Sequence, residues 1–164
     1  MGALPAGKSA PAFSLNNLNG SQASLAEALK KGPVLAAFFK VNCPTCQFTF
    51  PFLERLYEMY GDSNFTLWGI SQNDAPDTRE FCKEFGIKFP VLVDGHGYPV
   101  SNEYGLTNVP TLFLISPSGK IQETSVGFAK ADLEKLAAEA ARANGKPSVP
   151  LFKPGEVIPE SKPG

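Results

Sequence analysis

Residues 34–46 read Val34-Leu35-Ala36-Ala37-Phe38-Phe39-Lys40-Val41-Asn42-Cys43-Pro44-Thr45-Cys46. The first six are apolar without interruption and are bounded by Pro33 and Lys40, as in a strand buried on both faces. Such a strand is central in its sheet. Pro44 suits the first turn of a helix, where a missing N–H leaves no bond unmade. Phe48, Phe52, Leu56 and Tyr60 follow at intervals of four and predict a helix over about 44–60 with those side chains toward the core. Pro51 is expected to kink it and Gly61-Asp62 to end it. Cys43 and Cys46 therefore stand at a strand-to-helix junction.

Working outward, Met1–Ala10 is a small, polar, proline-containing lead-in. Phe13-Ser14-Leu15, the turn residues Asn16–Gly20 and a second short run predict an N-terminal hairpin. Ser24 with Glu27 predicts a capped short helix over 25–31. After the long helix come a strand at 65–71, a helix at 75–85, a strand at 89–93 and a short helix at 98–104. Pro110 precedes a strand at 111–116, and Pro117-Ser118-Gly119 turns it into an antiparallel partner at 120–126. A last helix over about 130–144 carries Leu133, Leu136, Ala137 and Ala140 on one face, with Gly145 as its stop. The order predicts an α/β fold, a mixed central sheet with helices on both faces. Residues 1–145 form the expected domain. Residues 146–164 hold five prolines, form a proline-rich C-terminal tail, and cannot be helix or central strand. Leu151, Phe152, Val157 and Ile158 are the residues that would pin it to the body.

A chain of 164 residues is expected to be one domain and to bury roughly 70% of its unfolded surface, so it needs no staple. The net charge of −1, without any run of like charges, argues against nucleic acid as a partner. No apolar stretch is long enough to span a membrane, and residues 1–30 lack the charged-then-apolar pattern of a signal peptide. Three cysteines are too few for a disulfide scaffold, and their odd number leaves one unpaired. No cofactor is implied. The count directs attention to redox chemistry or metal binding.

Cys43 at a helix start and Cys46 one turn later share a face. That spacing permits a disulfide. The free N–H groups and positive end of the helix favour a thiolate on Cys43, while Cys46 is carried into the first turn and is more buried. Cys43 is thus the expected attacking thiol and Cys46 the resolving one. Pro44 and Thr45 lie between the two thiols and tune them. A zinc site completed by Cys82 and His96 is the metal alternative, but such knuckles sit on turns. Cys82, beside Phe81 and Phe85, reads as a small buried hydrophobe, and His96 in Gly95-His96-Gly97 as an idle surface residue.

The chain resembles the thioredoxin-like superfamily, in the branch holding TlpA/ResA-type thiol–disulfide reductases and the related alkyl hydroperoxide reductase/thiol-specific antioxidant group. The resemblance rests on Gly7-Lys8-Ser9-Ala10-Pro11-Ala12-Phe13-Ser14-Leu15, Phe89-Pro90-Val91-Leu92-Val93-Asp94 with Tyr104-Gly105-Leu106, and Val109-Pro110-Thr111-Leu112-Phe113-Leu114-Ile115 with Ser118-Gly119-Lys120-Ile121. It implies a thioredoxin-like fold with an inserted strand–helix segment and a thiol–disulfide oxidoreductase acting on protein disulfides. It implies that Pro110 is cis, with Val109 and Pro110 forming the groove that pairs with a substrate peptide. The implied partners are a protein dithiol or disulfide substrate and a dithiol electron donor. A monomer is expected, in the cell envelope rather than the cytoplasm.

The chain departs from the family at three places. Asn42 replaces the usual Trp before the first cysteine; Ala37 and Thr49 stand where relatives keep an acid for the resolving thiol. Water, Lys40 or Glu54 would then have to accept the proton of Cys46. Two other functions compete. A peroxiredoxin-type thiol peroxidase would use Cys46 but needs a cation beside it, and Arg55, Arg79 and Arg142 all lie elsewhere in the sequence. A redox-inactive interaction module would keep the fold and use the Pro110 groove or the tail for binding.

Overall fold

The computed structural model describes residues 2–61 and 64–164. Asp62, expected to help end the long helix, and Met1 lie outside them. In chain order the elements are β1 (Ser14–Asn17), β2 (Gln22–Ser24), α1 (Leu25–Leu29), β3 (Val34–Phe39), α2 (Pro44–Tyr60), β4 (Thr66–Ser71), α3 (Ala75–Phe85), β5 (Val91–Val93), α4 (Pro99–Glu103), β6 (Thr111–Ile115), β7 (Ile121–Val126), β8 (Phe128–Ala129), α5 (Lys130–Ala143) and β9 (Ser161–Lys162). Seven strands form a mixed sheet in the order β2-β1-β5-β4-β3-β6-β7. β3 runs parallel to β4 and antiparallel to β6, and β4 runs parallel to β5. β1 and β2 form the expected hairpin.

β3 is buried along its whole length, and its alternation explains why six apolar residues are needed. Leu35, Ala37 and Phe39 enter one core layer with Phe50, Leu53 and Leu56 of α2, Phe81 of α3 and Leu133 and Leu136 of α5. Val34, Ala36 and Phe38 enter the other, with Leu25 of α1, Val100 of α4, Phe13 and Trp68. Helices thus cover both faces, the thioredoxin-like arrangement. α4 is capped by the buried Asp94, which accepts from Val100 N, Ser101 N and Ser101 Oγ.

The core face of α2 differs from the expected one. Its buried residues are Cys46, Thr49, Phe50, Leu53, Glu54, Leu56 and Tyr60, whereas Phe48 and Phe52 are only partly buried. Those two rings face sideways instead, against Phe128 at 4.9 and 6.1 Å, and Phe52 meets Phe152 of the tail at 5.0 Å. The helix runs unbroken through Pro51.

The tail folds back along this side of α2. Leu151 and Phe152 are buried, and Ile158 packs against the same core. Val157, grouped with them by hydrophobicity, is 97% exposed and pins nothing. Arg55 holds the segment from α2, donating to Leu151 O at 3.0 Å and to both carboxylate oxygens of Glu156. Beyond it β9 pairs antiparallel with β8, Phe128 opposite Lys162 and Ala129 opposite Ser161.

Candidate active site

The loop from β3 to α2 is tied at both ends. Val41 N donates to Asn73 Oδ1 at 3.0 Å, and Gln47 Nε2 donates back to Val41 O at 2.9 Å. Cys43 is the N-cap of α2, in extended backbone conformation, and its Sγ accepts the N–H of Cys46 at 3.1 Å. A sulfur thus stands where a Ser or Asp oxygen would normally satisfy a helix-start N–H. Such a contact favours negative charge on the accepting atom.

The two thiols are unequal in access. Cys43 is half-buried, whereas Cys46 is wholly buried. Burial pushes the Cys46 thiol far above the ordinary range, and its hydrogen bond with Cys43 raises it further. Cys46 therefore holds its proton while Cys43 reaches solvent. Both are free thiols here, so the geometry is that of the dithiol form.

Across from Cys43 lies the turn before β6. The Val109–Pro110 peptide is cis. Cys43 Sγ lies 3.4 Å from Val109 O, within reach of an S–H donor. Val109 also lines a small cavity of about 200 Å³ with Lys40, Gln72, Ser101 and Asn108. Pro44 is exposed, and Thr45, half-buried, donates from Oγ1 to Pro163 O of the tail at 2.7 Å. The structure therefore brings Cys43, Cys46, Thr45 and Val109-Pro110 together.

The groups weighed as proton acceptors for Cys46 fare differently. Ala37 is buried and apolar. Thr49 is fully buried, and its hydroxyl is committed to Thr45 O at 2.7 Å. Glu54 is not at the thiols: eight residues along α2, about 12 Å at the usual helical rise, its Oε1 accepts from Lys88 N and Phe89 N. The Lys40 side chain is exposed, and its backbone hydrogen bond favours ionised Cys46 only against the larger effect of burial.

Outside the thiol pair the chemistry is thin. Cys82 is half-buried rather than buried, packed against the core beside Phe81 and Phe85. Burial pushes its thiol up to about 11, with the charge of Glu54 adding to it, as suits an unreactive thiol. His96 is exposed. Among the described residues no cluster of three His, Cys, Asp or Glu could hold a metal ion, and no helix is long and apolar enough to cross a membrane. Arg55 pairs with Glu156, Arg79 donates to Leu18 O, and Arg142 pairs with Glu139. None of these guanidinium contacts is with a thiol.

Sequence reasoning missed Phe48, Asn108, Gly127 and Lys162 as the residues that seat the end of the tail beside Thr45 and Val109. Asn108 Nδ2 donates to Gly164 O at 3.3 Å, and Lys162 Nζ stands 5.0 Å over the Phe48 ring. The one signal in the sequence was the apolar pair Leu151-Phe152, which fixes the tail's direction but not its end.

A profile of the Redoxin family matches residues 5–141. Thiol-disulfide oxidoreductase ResA of Bacillus thuringiensis (strain Al Hakam) is 32% identical over 125 residues, covering 74% of this chain and 69% of its own. The crystal structure of a putative thiol:disulfide interchange protein DsbE from Chlorobium tepidum superimposes with a TM-score of 0.75 at 27% identity, covering 86% of this chain and 99% of that one. Peroxidoxin BcpB from Mycobacterium tuberculosis superimposes with a TM-score of 0.71 at 20% identity, covering 85% and 97%, a likeness of fold alone.

Proposed function

Because this chain belongs to the Redoxin family and is a thioredoxin-like thiol–disulfide oxidoreductase, we propose that Cys43 is its attacking thiol and Cys46 its resolving thiol. The observation that carries the assignment is the Cys46 N–H aimed at Cys43 Sγ across 3.1 Å, with Cys46 itself buried. Cys43, as thiolate, attacks one sulfur of a protein disulfide. That S–S bond breaks, a Cys43–substrate S–S bond forms, and the displaced substrate sulfur leaves as a thiolate that takes a proton from water. Cys46 then loses its proton and attacks Cys43 Sγ, freeing the second substrate thiol and closing the Cys43–Cys46 disulfide. A dithiol donor protein reverses the last oxidation by the same exchange.

Val109 and Pro110, with Pro44 and Thr45, form the rim against which the substrate backbone lies. Pro44 and Thr45 set the spacing of the thiols, and Val109 O faces the attacking sulfur. With Thr49 and Ala37 offering no carboxylate, water accepts the Cys46 proton. Residues 1–145 constitute the catalytic domain and 146–164 its appended tail. The enzyme works as a monomer in the cell envelope, a placement supported by its resemblance to extracytoplasmic reductases. Sedimentation at the monomer mass, and labelling of whole cells with a membrane-impermeant maleimide, test these two points.

The assignment is tested with Cys46→Ser and Cys43→Ser. Incubated with insulin, the reduced Cys46→Ser protein should accumulate a mixed disulfide through Cys43, and Cys43→Ser should accumulate none. Equal trapping by both variants would overturn the division of labour. The peroxidase reading is opposed by the engagement of all three arginines away from the thiols.

A further inference from the structure

The last five residues of the chain run directly across the thiol site. Lys130 N donates to Glu160 O at 2.9 Å, and Ser161 and Lys162 add a strand to the edge of β8. Lys162 Nζ lies over the Phe48 ring, Thr45 Oγ1 donates to Pro163 O, and Asn108 Nδ2 donates to Gly164 O. The fit at the end is tight. A Cβ placed on Gly164 would stand 2.8 Å from Val109 O, the same oxygen that faces Cys43 Sγ at 3.4 Å. A Cβ on Gly127, at φ +74°, would stand 2.6 Å from Lys162 O and 3.0 Å from Gly164 N. Gly127 thus gives the segment room to pass.

We propose that Glu160–Gly164 is a displaceable strap: it fills the groove in which an extended protein substrate meets Cys43, so that the chain competes with its own substrate. The proposal rests on the thiol–disulfide reading above. The mode of occupation specifies what the groove takes. It is an extended segment that pairs with the edge of β8, places a lysine or arginine over Phe48, and reaches the Val109 carbonyl with its next residues. Its hold is shallow. β9 is two residues long and exposed, and the cation–aromatic contact is open to water. The anchors Leu151, Phe152 and Glu156 lie upstream of it, so the strap is free to lift while the rest of the tail stays docked. Every substrate then binds with its intrinsic affinity multiplied by the fraction of chains in which the strap is open.

The test compares the whole chain, a chain lacking residues 160–164, and the Lys162→Glu chain, all reduced. The first readout is the rate of Cys43 alkylation by iodoacetamide, which needs no catalysis. Removing the strap or reversing its charge should raise that rate about two- to fivefold, the scale expected for losing an exposed cation–aromatic contact. The six-residue peptide Pro-Glu-Ser-Lys-Pro-Gly, added in excess to the shortened chain, should slow alkylation again; the same peptide with Glu for Lys should not. The second readout is KM for insulin, which should fall in both altered chains. Equal alkylation rates in the whole and Lys162→Glu chains would overturn the strap even if the shortened chain failed to fold. Faster alkylation without insulin reduction by any of the chains would sink the redox reading and leave the strap standing.

Discussion

Arg55 and Glu156 meet in a two-point ion pair, Nη1 to Oε1 at 2.9 Å and Nη2 to Oε2 at 3.0 Å, across 101 residues of sequence. The hydrogen bonds from Arg55 hold the Glu156 carboxyl down to about 2, with Lys153 N contributing. A carboxyl depressed on folding contributes stability that is present above its usual range, near 4.5, and is lost as pH falls toward 2. The tail should therefore stay docked at pH 5 and loosen between pH 4 and 2, read from the NMR signals of the Leu151 methyls and the Phe152 ring. Glu156→Gln should loosen it at every pH and make cleavage after Phe152 by chymotrypsin several-fold faster. A variant as resistant as the parent would show that the apolar contacts alone hold the segment.

Phe152 tests whether the tail belongs to the core. Its ring is 8% exposed and lies between Phe52 at 5.0 Å and Phe128 at 6.3 Å. Phe152→Ala should destabilise the protein by about 3 kcal/mol in urea unfolding, as for other large-to-small core changes. A loss below about 1 kcal/mol would mean that the segment covers the domain without stabilising it.

These contacts also explain what could be read from the sequence and what could not. β3 was legible because six consecutive apolar residues leave no polar face, and the thiol pair because a proline and a cysteine spacing mark a helix start. The four-residue spacing of Phe48 and Phe52 was equally real, but periodicity reports that a face is covered and not by what. Here the tail covers it, while Phe50, Leu53 and Leu56 face the sheet. The strap was beyond reach for another reason. Thr45 and Pro163 meet across 118 residues through a backbone carbonyl, and a carbonyl leaves no mark in sequence. Glu54, one of the acceptors considered for the Cys46 proton, looked like a free acid because its partners are also backbone groups.

Glu54 is buried at 6% exposure, and burial raises its carboxyl above the usual range, with Glu58 adding to the rise. A carboxyl raised on folding favours the protonated native state, so its charge works against stability as pH rises through the folded value. Glu54→Gln keeps an oxygen for Lys88 N and Phe89 N and removes that charge. It should leave stability at pH 7 unchanged or higher and flatten its dependence above pH 5. Glu54→Ala leaves two N–H groups without their acceptor and should cost about 2–3 kcal/mol in urea unfolding. If the Gln variant proved as unstable as the Ala variant, the ionised carboxylate itself would be required.

The rate at which the mixed disulfide resolves should expose the missing acid beside Cys46. Its thiol is buried and raised far above the ordinary range, and Thr49 presents a hydroxyl already bonded to Thr45 O. Only the thiolate attacks, and far below its own titration the thiolate fraction grows tenfold per pH unit. Collapse of the Cys43 mixed disulfide should therefore accelerate by nearly tenfold per unit from pH 6 to pH 9 without levelling. Stopped-flow measurement on a preformed mixed disulfide with a small aromatic thiol gives the profile directly. Cys82, pushed up to about 11 by burial, makes no contribution, so Cys82→Ser should superimpose on the parent curve. A plateau below pH 8 would show that a neighbouring group takes the proton, and Lys40 would be the first residue to replace.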